Sequence, residues 1–452
     1  MTAFQTNLII SVFFFPVLPI LYFILRNESK PKKNIILGVT IPYEARQTEE
    51  VLLICKNFRK HLGITALILA VIFPAAFFIK YISVILTFYM LWLEAAIIAP
   101  YVSFTLYHRK LKRLKTEKNW EGSSAGKIVL DTKVSAITQK QYSFWLFLPP
   151  VIISLIPVFH AAFFESESLY FIAFVVNALL TVLFFVLYKT VFRLKSEVID
   201  GDTAVTAALA RIRSRNMGKS FLLISYFTGA YNICFWLFIE SVTGILLSSA
   251  AYTVVVLFAA IGAEFAARSA QEKLTQNSGT GFFTDEDRYW INGMFYCNPS
   301  DRHAFVKDRV GINMSMNLAK VSGKIVMGIS VLCILLLPVA GVFLITEEFT
   351  PVNLVVTDSF IEASHTSPEY RISLAEIESA KLIYSLPKSQ RVYGTGMDTL
   401  LKGKFRADGY GECEFCLNPQ VSPFIVITAE GKTYILGGAN SEDTANAYKM
   451  LG

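Results

Sequence analysis

The residue whose position points most clearly to chemistry is Glu94, an acidic side chain in the middle of the apolar stretch 82–107. A carboxylate at the centre of a membrane helix costs roughly 2.5 to 3.5 kcal/mol, so it needs a polar partner or a function to offset that cost. At spacings of 7 and 11 residues from Glu94, the same helical face carries Ser83, Thr87, Tyr101 and Thr105. If water reaches this polar stripe, Glu94 is a candidate proton carrier or cation site. The alternative is a structural residue that hydrogen-bonds a neighbouring helix.

Two asparagines and a cysteine pair are further candidates. Asn177 and Asn232 lie inside other apolar stretches, where hydrogen bonds between helices are the favoured interpretation. Cys413 and Cys416 form a CxxC pair, and in an oxidising exterior they are a possible disulfide. On a straight strand, residues three apart point to opposite faces, so a bridge needs a bulge. The alternative interpretation, which the sequence favours equally, is that both thiols are unpaired.

No motif indicates an enzyme, a metal site or a cofactor. Asp301, His303 and Asp308 contain metal-ligating groups, but their loop lacks a second His or a Cys pair at a ligand spacing. Gly218-Lys219-Ser220 and Gly431-Lys432-Thr433 resemble the end of a phosphate-binding loop but lack its first glycine. We therefore predict a non-enzymatic protein without a cofactor.

The composition of the chain indicates what must position these residues. Of 452 residues, 54% are hydrophobic and only 17% are charged, which is typical of helices embedded in lipid. A membrane-spanning helix needs about 18 to 20 apolar residues. Eight stretches qualify and predict an α-helical polytopic membrane bundle: 8–26, 62–79, 82–107, 142–163, 169–188, 220–239, 242–263 and 325–345. A single re-entrant pair at 62–107 is the rival interpretation.

The distribution of basic residues predicts the orientation, because short cytoplasmic loops retain Lys and Arg. Loops 27–61, 108–141, 189–219 and 264–324 carry 7, 9, 7 and 8 basic residues, whereas the intervening loops carry at most one. Both the N-terminus and the tail are therefore predicted to lie outside the cytoplasm of a cell membrane.

The tail 351–452 has a different pattern, in which apolar and polar residues alternate as in β-strands. Ser441 is predicted to cap a closing helix that ends at Leu451. This outline predicts a β-barrel or sandwich closed by one helix. The candidate strands are 353–356, 359–363, 370–372, 378–384, 400–406, 412–417, 424–428 and 432–436.

Two segments carry a resemblance to known families. The stretch "RISLAEIESAKLI" from Arg371 to Ile383, followed by Gly394, Gly403 and the hairpin "FIVITAEGKTYIL", resembles the bacterial pleckstrin-homology domains that end certain multipass membrane proteins. The cytoplasmic loop "DRYWINGMFYCNPSDRHAFVKDRVGINMSMNLAK" is similar to a short uncharacterised module of bacterial membrane proteins. The positions that match that module are Trp290, Gly293, Tyr296, Asn298, Asp301, Val306, Arg309, Gly311 and Asn317. Members also carry a segment like "LGVTIPYEAR" before a basic helix, here 37–60.

Together these patterns predict four regions: 1–263 with seven transmembrane helices, 264–324 with the module at about 285–318, the eighth helix 325–345, and the domain 351–452. From Glu347 onward, 9 basic and 14 acidic residues favour a protein or peptide partner over lipid phosphates. The basic loops indicate contact with the lipid bilayer rather than nucleic acid. The leading hypothesis is a membrane protein whose soluble domains serve interaction, envelope sensing or resistance to membrane-active agents. The rival is a transporter or ion-coupled carrier that uses the Glu94 stripe.

Overall fold

The computed structural model describes most of the chain, and it separates into two compact units. The first comprises Met1–Leu8, Pro74–Trp92 and Leu335–Gly452, and the second comprises Ile9–Phe73 and Leu93–Ile334. The described residues are 3–31, 35–42, 44–120, 142–164, 170–191, 203–239, 241–275, 285–307, 309–310 and 314–451.

Long helices dominate the described part of the chain. Eight of its helical segments are long and apolar enough to cross a membrane, so the prediction of eight such helices is confirmed. In chain order the helices are α1 Ala3–Phe14, α2 Val17–Asn27, α3 Glu49–Ile72, α4 Ile82–Glu117, α5 Leu148–Phe164, α6 Phe171–Val191, α7 Thr203–Leu237, α8 Val242–Thr275, α9 Val321–Phe349 and α10 Ser441–Lys449.

One predicted helix is divided in the structure, whereas the separation of the second and third predicted helices agrees with the prediction. The first apolar stretch is not one helix, because α1 ends at Phe14 and α2 begins after Pro16. Proline has no backbone N–H and its ring crowds the preceding turn, so it interrupts a helix. In the stretch 62–107, α3 continues as a 3-10 helix to Phe78 and α4 follows as a separate helix of 36 residues. The structure thus has two long helices there.

The second unit contains a buried core between helices and a short hairpin. Strand β1 (Ile35–Ile36) pairs antiparallel with β2 (Val39–Thr40). This hairpin packs with α2, α3 and the basic half of α4, where Phe58 and Phe104 meet edge to face at 6.2 Å. Helices α5 to α8 pack against one another in the same unit.

Two further short hairpins, also in the second unit, lie within the region 285–318, which is called the module below. Strand β3 (Trp290–Ile291) pairs with β4 (Phe295–Tyr296), and β5 (Phe305–Lys307) pairs with β6 (Met314–Met316). The buried side chains at its centre are Trp290, Tyr296 and Val306. An aromatic core this small depends on polar contacts for the rest of its stability.

The tail in the first unit folds into two sheets and one helix. One sheet has the order β7-β8-β9, and the other has the order β10-β14-β15-β13-β12-β11, with β13 parallel to β15. The described strands do not close into a barrel. The strands are β7 Asn353–Val356, β8 Phe360–His365, β9 Ser367–Ser373, β10 Ile377–Ile383, β11 Ser389–Gly396, β12 Leu401–Ala407, β13 Gly411–Leu417, β14 Phe424–Ala429 and β15 Lys432–Leu436.

The cap of α10 corrects a second prediction about the tail. The N-cap is Asn440, whose side chain accepts a hydrogen bond from the Asp443 backbone N–H at 2.8 Å, and not Ser441. The Ser441 hydroxyl instead donates to the Ser422 carbonyl at 2.6 Å. Asparagine is among the best N-cap residues, so the shift by one residue loses no capping.

Candidate functional site

The first half of the predicted polar stripe on α4 makes close contacts within the first unit. The Ser83 backbone N–H donates to Glu348 Oε2 at 2.8 Å, which satisfies one of the free N–H groups at the start of α4. The Thr87 hydroxyl lies 2.7 Å from the Ser83 carbonyl and 3.1 Å from the Gly341 carbonyl of α9. Both Ser83 and Thr87 are buried. They therefore hold α4 against α9.

Glu94 and the second half of the stripe lie in the second unit. Glu94 is half-buried, and no polar group in the described part of the chain hydrogen-bonds its carboxylate. The Thr105 hydroxyl bonds back to the Tyr101 carbonyl at 2.9 Å, and the Tyr101 ring packs against the core around the first hairpin. All five residues of the predicted stripe lie in α4, and those with hydrogen bonds or core contacts serve different parts of the structure.

The two predicted asparagines are brought together. Asn177 of α6 donates to Asn232 Oδ1 of α7 at 3.2 Å. The Asn232 amide also donates to the carbonyls of Ser154 at 2.7 Å and Phe174 at 3.2 Å. Asn232 is fully buried, so its hydrogen bonds join α5, α6 and α7 at one point. This geometry is that of a structural hydrogen-bond centre.

Cys413 and Cys416 are both buried, and no disulfide joins them in the described part of the chain. Cys413 packs in a core with Phe405 and Phe415, whereas Cys416 packs in a separate core with Ile425. The two side chains thus enter different apolar cores, as a spacing of three on one strand requires.

A cluster of buried charges in the second unit was not predicted from the sequence. Asp287 lies at the start of a 3-10 turn before β3, and its carboxylate accepts from Thr40 of β2, Lys115 of α4 and Arg309. Asp285 pairs with the same lysine. All five side chains lie in buried residues. Two carboxylates face two cations, so the cluster has no net charge.

Both oxygens of Asp287 are fully used. Oδ1 accepts from the Thr40 hydroxyl at 2.7 Å and from Arg309 Nη1 at 2.5 Å. Oδ2 accepts from Lys115 Nζ at 2.7 Å and from the Thr40 backbone N–H at 3.1 Å. Burial by itself raises the pKa of Asp287, but the charges of Arg309 and Lys115 and these hydrogen bonds outweigh it and lower the pKa to about 2. The carboxylate is therefore ionised and has no free lone pair directed at a ligand.

Two glycine turns bring these elements close together. Gly38 (φ +71°) lies at the turn of the first hairpin, and Gly293 (φ +74°) lies at the turn of the β3-β4 hairpin. A Cβ added to Gly38 would lie 3.2 Å from Gly293, and one added to Gly293 would lie 2.6 Å from His108 Nδ1. His108 Nδ1 lies 2.8 Å from the Leu37 carbonyl, and Arg309 donates to the Gly38 carbonyl at 3.1 Å. The backbones of the two turns are in direct contact at Gly38 and Gly293, and this close approach requires glycine, which has no side chain.

A second polar network holds the rest of the module. The Tyr296 hydroxyl donates to Asp301 at 2.9 Å, and the Asn298 side chain donates to Tyr296 at 3.0 Å. Asn317 accepts from the Asn298 backbone N–H at 3.0 Å and donates to its carbonyl at 2.8 Å. Burial raises the pKa of Tyr296, so its phenol stays neutral. Residues that carried the sequence resemblance therefore act mainly as internal hydrogen-bond partners.

Asp301 and His303, two of the three residues with metal-ligating groups in the module, contact each other. Asp301 Oδ1 accepts from the His303 backbone N–H at 2.9 Å and lies 2.8 Å from His303 Nδ1. Asp308 lies outside the described residues. Within the ranges that the structure describes, no three His, Cys, Asp or Glu side chains are placed to hold a metal ion.

The end of α9 is fixed to the tail domain inside the first unit. Lys402 of β12 pairs with Glu347 at 3.0 Å, and the Thr399 hydroxyl donates to the Glu348 carbonyl at 2.6 Å. The buried ring of His365 lies 3.9 Å from the Glu347 carboxylate. The domain is thus anchored directly to its preceding helix.

No family model, no curated protein and no solved structure matches this chain.

Proposed function

We propose that the protein is a non-enzymatic multipass membrane protein whose soluble parts serve interaction, envelope sensing or resistance to membrane-active agents. The observation that carries this proposal is the saturated carboxylate of Asp287, which joins the first hairpin, α4 and the module. A buried carboxylate whose two oxygens both accept hydrogen bonds from inside the protein fixes a shape and is not a free base for catalysis.

The tail domain is the proposed partner-binding part. Two sheets and a closing helix support the pleckstrin-homology type, and the excess of acidic residues favours a protein or peptide partner. In this proposal the domain lies outside the cytoplasm, and the basic loops with the module lie inside. Tyr384 and Tyr393 are 74% and 65% exposed, which makes them available for contact.

Site-specific photocrosslinking in cells tests the interaction. A photoreactive amino acid at Tyr384 or Tyr393 of the full-length chain should give a discrete adduct with one partner. The exposed Lys112 of α4 is the control position, because it lies on the basic side. The absence of a discrete adduct from both tail positions contradicts an interaction role for the domain.

Thiol labelling tests the orientation. Cys413 and Cys416 are buried and unsuitable, so the reporters are Tyr384→Cys in the tail and Glu117→Cys at the basic end of α4. Labelling of Tyr384→Cys by an impermeant reagent in intact cells, and of Glu117→Cys only after permeabilisation, supports the proposed sides. The same response from both reporters would contradict them.

The second candidate function is an ion-coupled carrier. It is favoured by Glu94, a half-buried carboxylate on a helix long enough to span a membrane, with no polar partner in the described part of the chain. Proteoliposomes that show solute-dependent proton flux, abolished in Glu94→Gln but kept in Glu117→Gln, would support the carrier. Glu117 is the matched control because it is exposed on the same helix.

A further inference from the structure

A groove in the second unit has the shape of a site for a chain-like apolar ligand. Its volume is about 650 Å³, within the range of small-molecule sites. It is formed by α4, α9 and the module hairpins. The residues that bear on the argument are Ile97, Val102, Arg109, Met316, Val326 and Ile334.

The walls of the groove are apolar side chains that the protein leaves uncovered. Val102 and Leu106 on α4 are 52% and 53% exposed, and Val326 on α9 is 45% exposed. These residues face an open channel between two helices and not a packed interface. Exposed apolar surface on helices long enough to cross a membrane is covered by lipid.

The length of the groove matches one leaflet of a bilayer. Along α4 its lining extends from Ile97 to Arg109, and along α9 from Gly323 to Ile334. At about 1.5 Å per residue these segments are roughly 18 and 16 Å long. Half of a hydrocarbon core of about 30 Å is about 15 Å. An extended acyl chain from a headgroup to the bilayer centre therefore fits the groove lengthwise.

The polar end of the groove carries a positive charge. Arg109 lines the groove where α4 becomes basic, and its Nε donates to Asn292 Oδ1 at 3.2 Å. Within the described ranges no carboxylate forms an ion pair with Arg109. Its remaining N–H groups are the fork that binds a phosphate oxygen pair. A cation at one end of an apolar channel complements an anionic headgroup attached to an acyl chain.

We propose that this groove is a binding site for one anionic phospholipid, with an acyl chain between α4 and α9 and the phosphate on Arg109. The site holds its lipid through purification, which distinguishes it from the surrounding bilayer lipid. This inference stands apart from the proposed interaction function, since it uses other residues.

Native mass spectrometry of the full-length protein, reconstituted with phosphatidylglycerol and phosphatidylethanolamine and then extracted in mild detergent, tests the proposal. The wild type should retain one phosphatidylglycerol. Val326→Trp fills the groove and should lose it, whereas Ile329→Trp should not, because Ile329 is 56% exposed on the same helix and does not line the groove.

A second set of variants tests the role of the Arg109 charge. It keeps the proposal testable even if Val326→Trp does not fold. Arg109→Gln should reduce the preference for phosphatidylglycerol about tenfold, a typical effect of a lost charge-assisted hydrogen bond. Lys110→Gln should leave it unchanged, because Lys110 lies over the Tyr107 ring at 4.8 Å. Asn292→Ala keeps the Arg109 charge and should also retain the lipid. Equal retention in Val326→Trp and Ile329→Trp, or no headgroup preference in the wild type, would overturn the proposal.

Discussion

Thr40 and Asp287 are 247 residues apart in sequence, yet Thr40 donates both its backbone N–H and its hydroxyl hydrogen to the Asp287 carboxylate. The contact joins the first hairpin to the module. Each of the two segments supplies part of one buried charge cluster.

Replacing Asp287 by Asn should be strongly destabilising. The change leaves Lys115 and Arg309 buried with one carboxylate fewer, and breaking a buried pair costs about 3 to 5 kcal/mol. The measurement is the free energy of unfolding of the detergent-solubilised protein by denaturant titration. Lys115→Met should have a similar cost, whereas Lys112→Met, at an exposed position of the same helix, should cost less than about 0.5 kcal/mol. A small effect of Asp287→Asn would show that the cluster does not hold the fold.

The lowered pKa of Asp287 predicts how the free energy of unfolding depends on pH. The pKa of Asp287 is lowered from 3.8 to about 2, so the unfolded chain takes up the proton first as the pH falls. The stabilisation is therefore complete above about pH 4 and is lost as the pH falls toward 2. It amounts to roughly 2 kcal/mol. The difference in unfolding free energy between the wild type and Asp287→Asn should be constant from pH 7 to 5 and shrink below pH 4. A constant difference down to pH 2 would contradict this role for Asp287.

Sequence patterns predicted those parts of the fold that are encoded locally. Apolar length determines whether a helix can span a membrane, so the eight helices were found, although the break at Pro16 was missed. Alternation marks strands with one buried face. Strand β11 (Ser389–Gly396) was missed because six of its eight residues are exposed, which leaves no alternating pattern to detect.

The buried charge cluster could not be predicted in the same way. Arg309 is one of the positions that carry the sequence resemblance of the loop 285–318, but its partner Thr40 is 269 residues away. Lys115 is one of the nine basic residues of the predicted cytoplasmic loop 108–141, and nothing in its local sequence distinguishes a buried lysine from its exposed neighbours. Pairing across such distances is determined by tertiary structure and leaves no local periodicity.

Gly341→Ala should disturb the contact between α4 and α9. A Cβ at Gly341 would lie 2.6 Å from the Thr87 methyl group, and overpacking of this kind costs about 1 to 3 kcal/mol. Gly328→Ala is the matched control, because a Cβ there meets no described atom within 4 Å and alanine favours the helix by about 1 kcal/mol. Thr87→Ser removes the methyl group and should restore most of the stability lost in Gly341→Ala. The test is the thermal unfolding temperature of the two single variants and the double variant. An additive double variant would contradict the contact.

Asn232→Leu should destabilise the protein more than Asn177→Leu. Asn232 bonds to three groups on two neighbouring helices, whereas the Asn177 amide donates to Asn232 alone among the described residues. A hydrogen bond between membrane helices contributes about 0.6 kcal/mol on average. We expect a loss of about 1 to 2 kcal/mol for Asn232→Leu and under about 1 kcal/mol for Asn177→Leu, measured by unfolding in mixed detergent micelles. A greater loss for Asn177→Leu would reverse the assignment of the central residue.

The two thiols of strand β13 should be reduced and protected in the folded protein. Cys413 and Cys416 are 1% and 0% exposed and lie in different cores, so their sulfur atoms do not face each other. Burial also raises the pKa of the Cys413 thiol, which lowers the fraction of reactive thiolate. We expect both thiols to be alkylated only after denaturation, and no reductant should be needed. An introduced Tyr384→Cys should react in the folded protein. Intact-mass analysis with and without reductant is the check, because a disulfide makes the chain lighter by two hydrogens. A mass that increases on reduction, lost in Cys413→Ser, would mean that β13 rearranges to form the bridge.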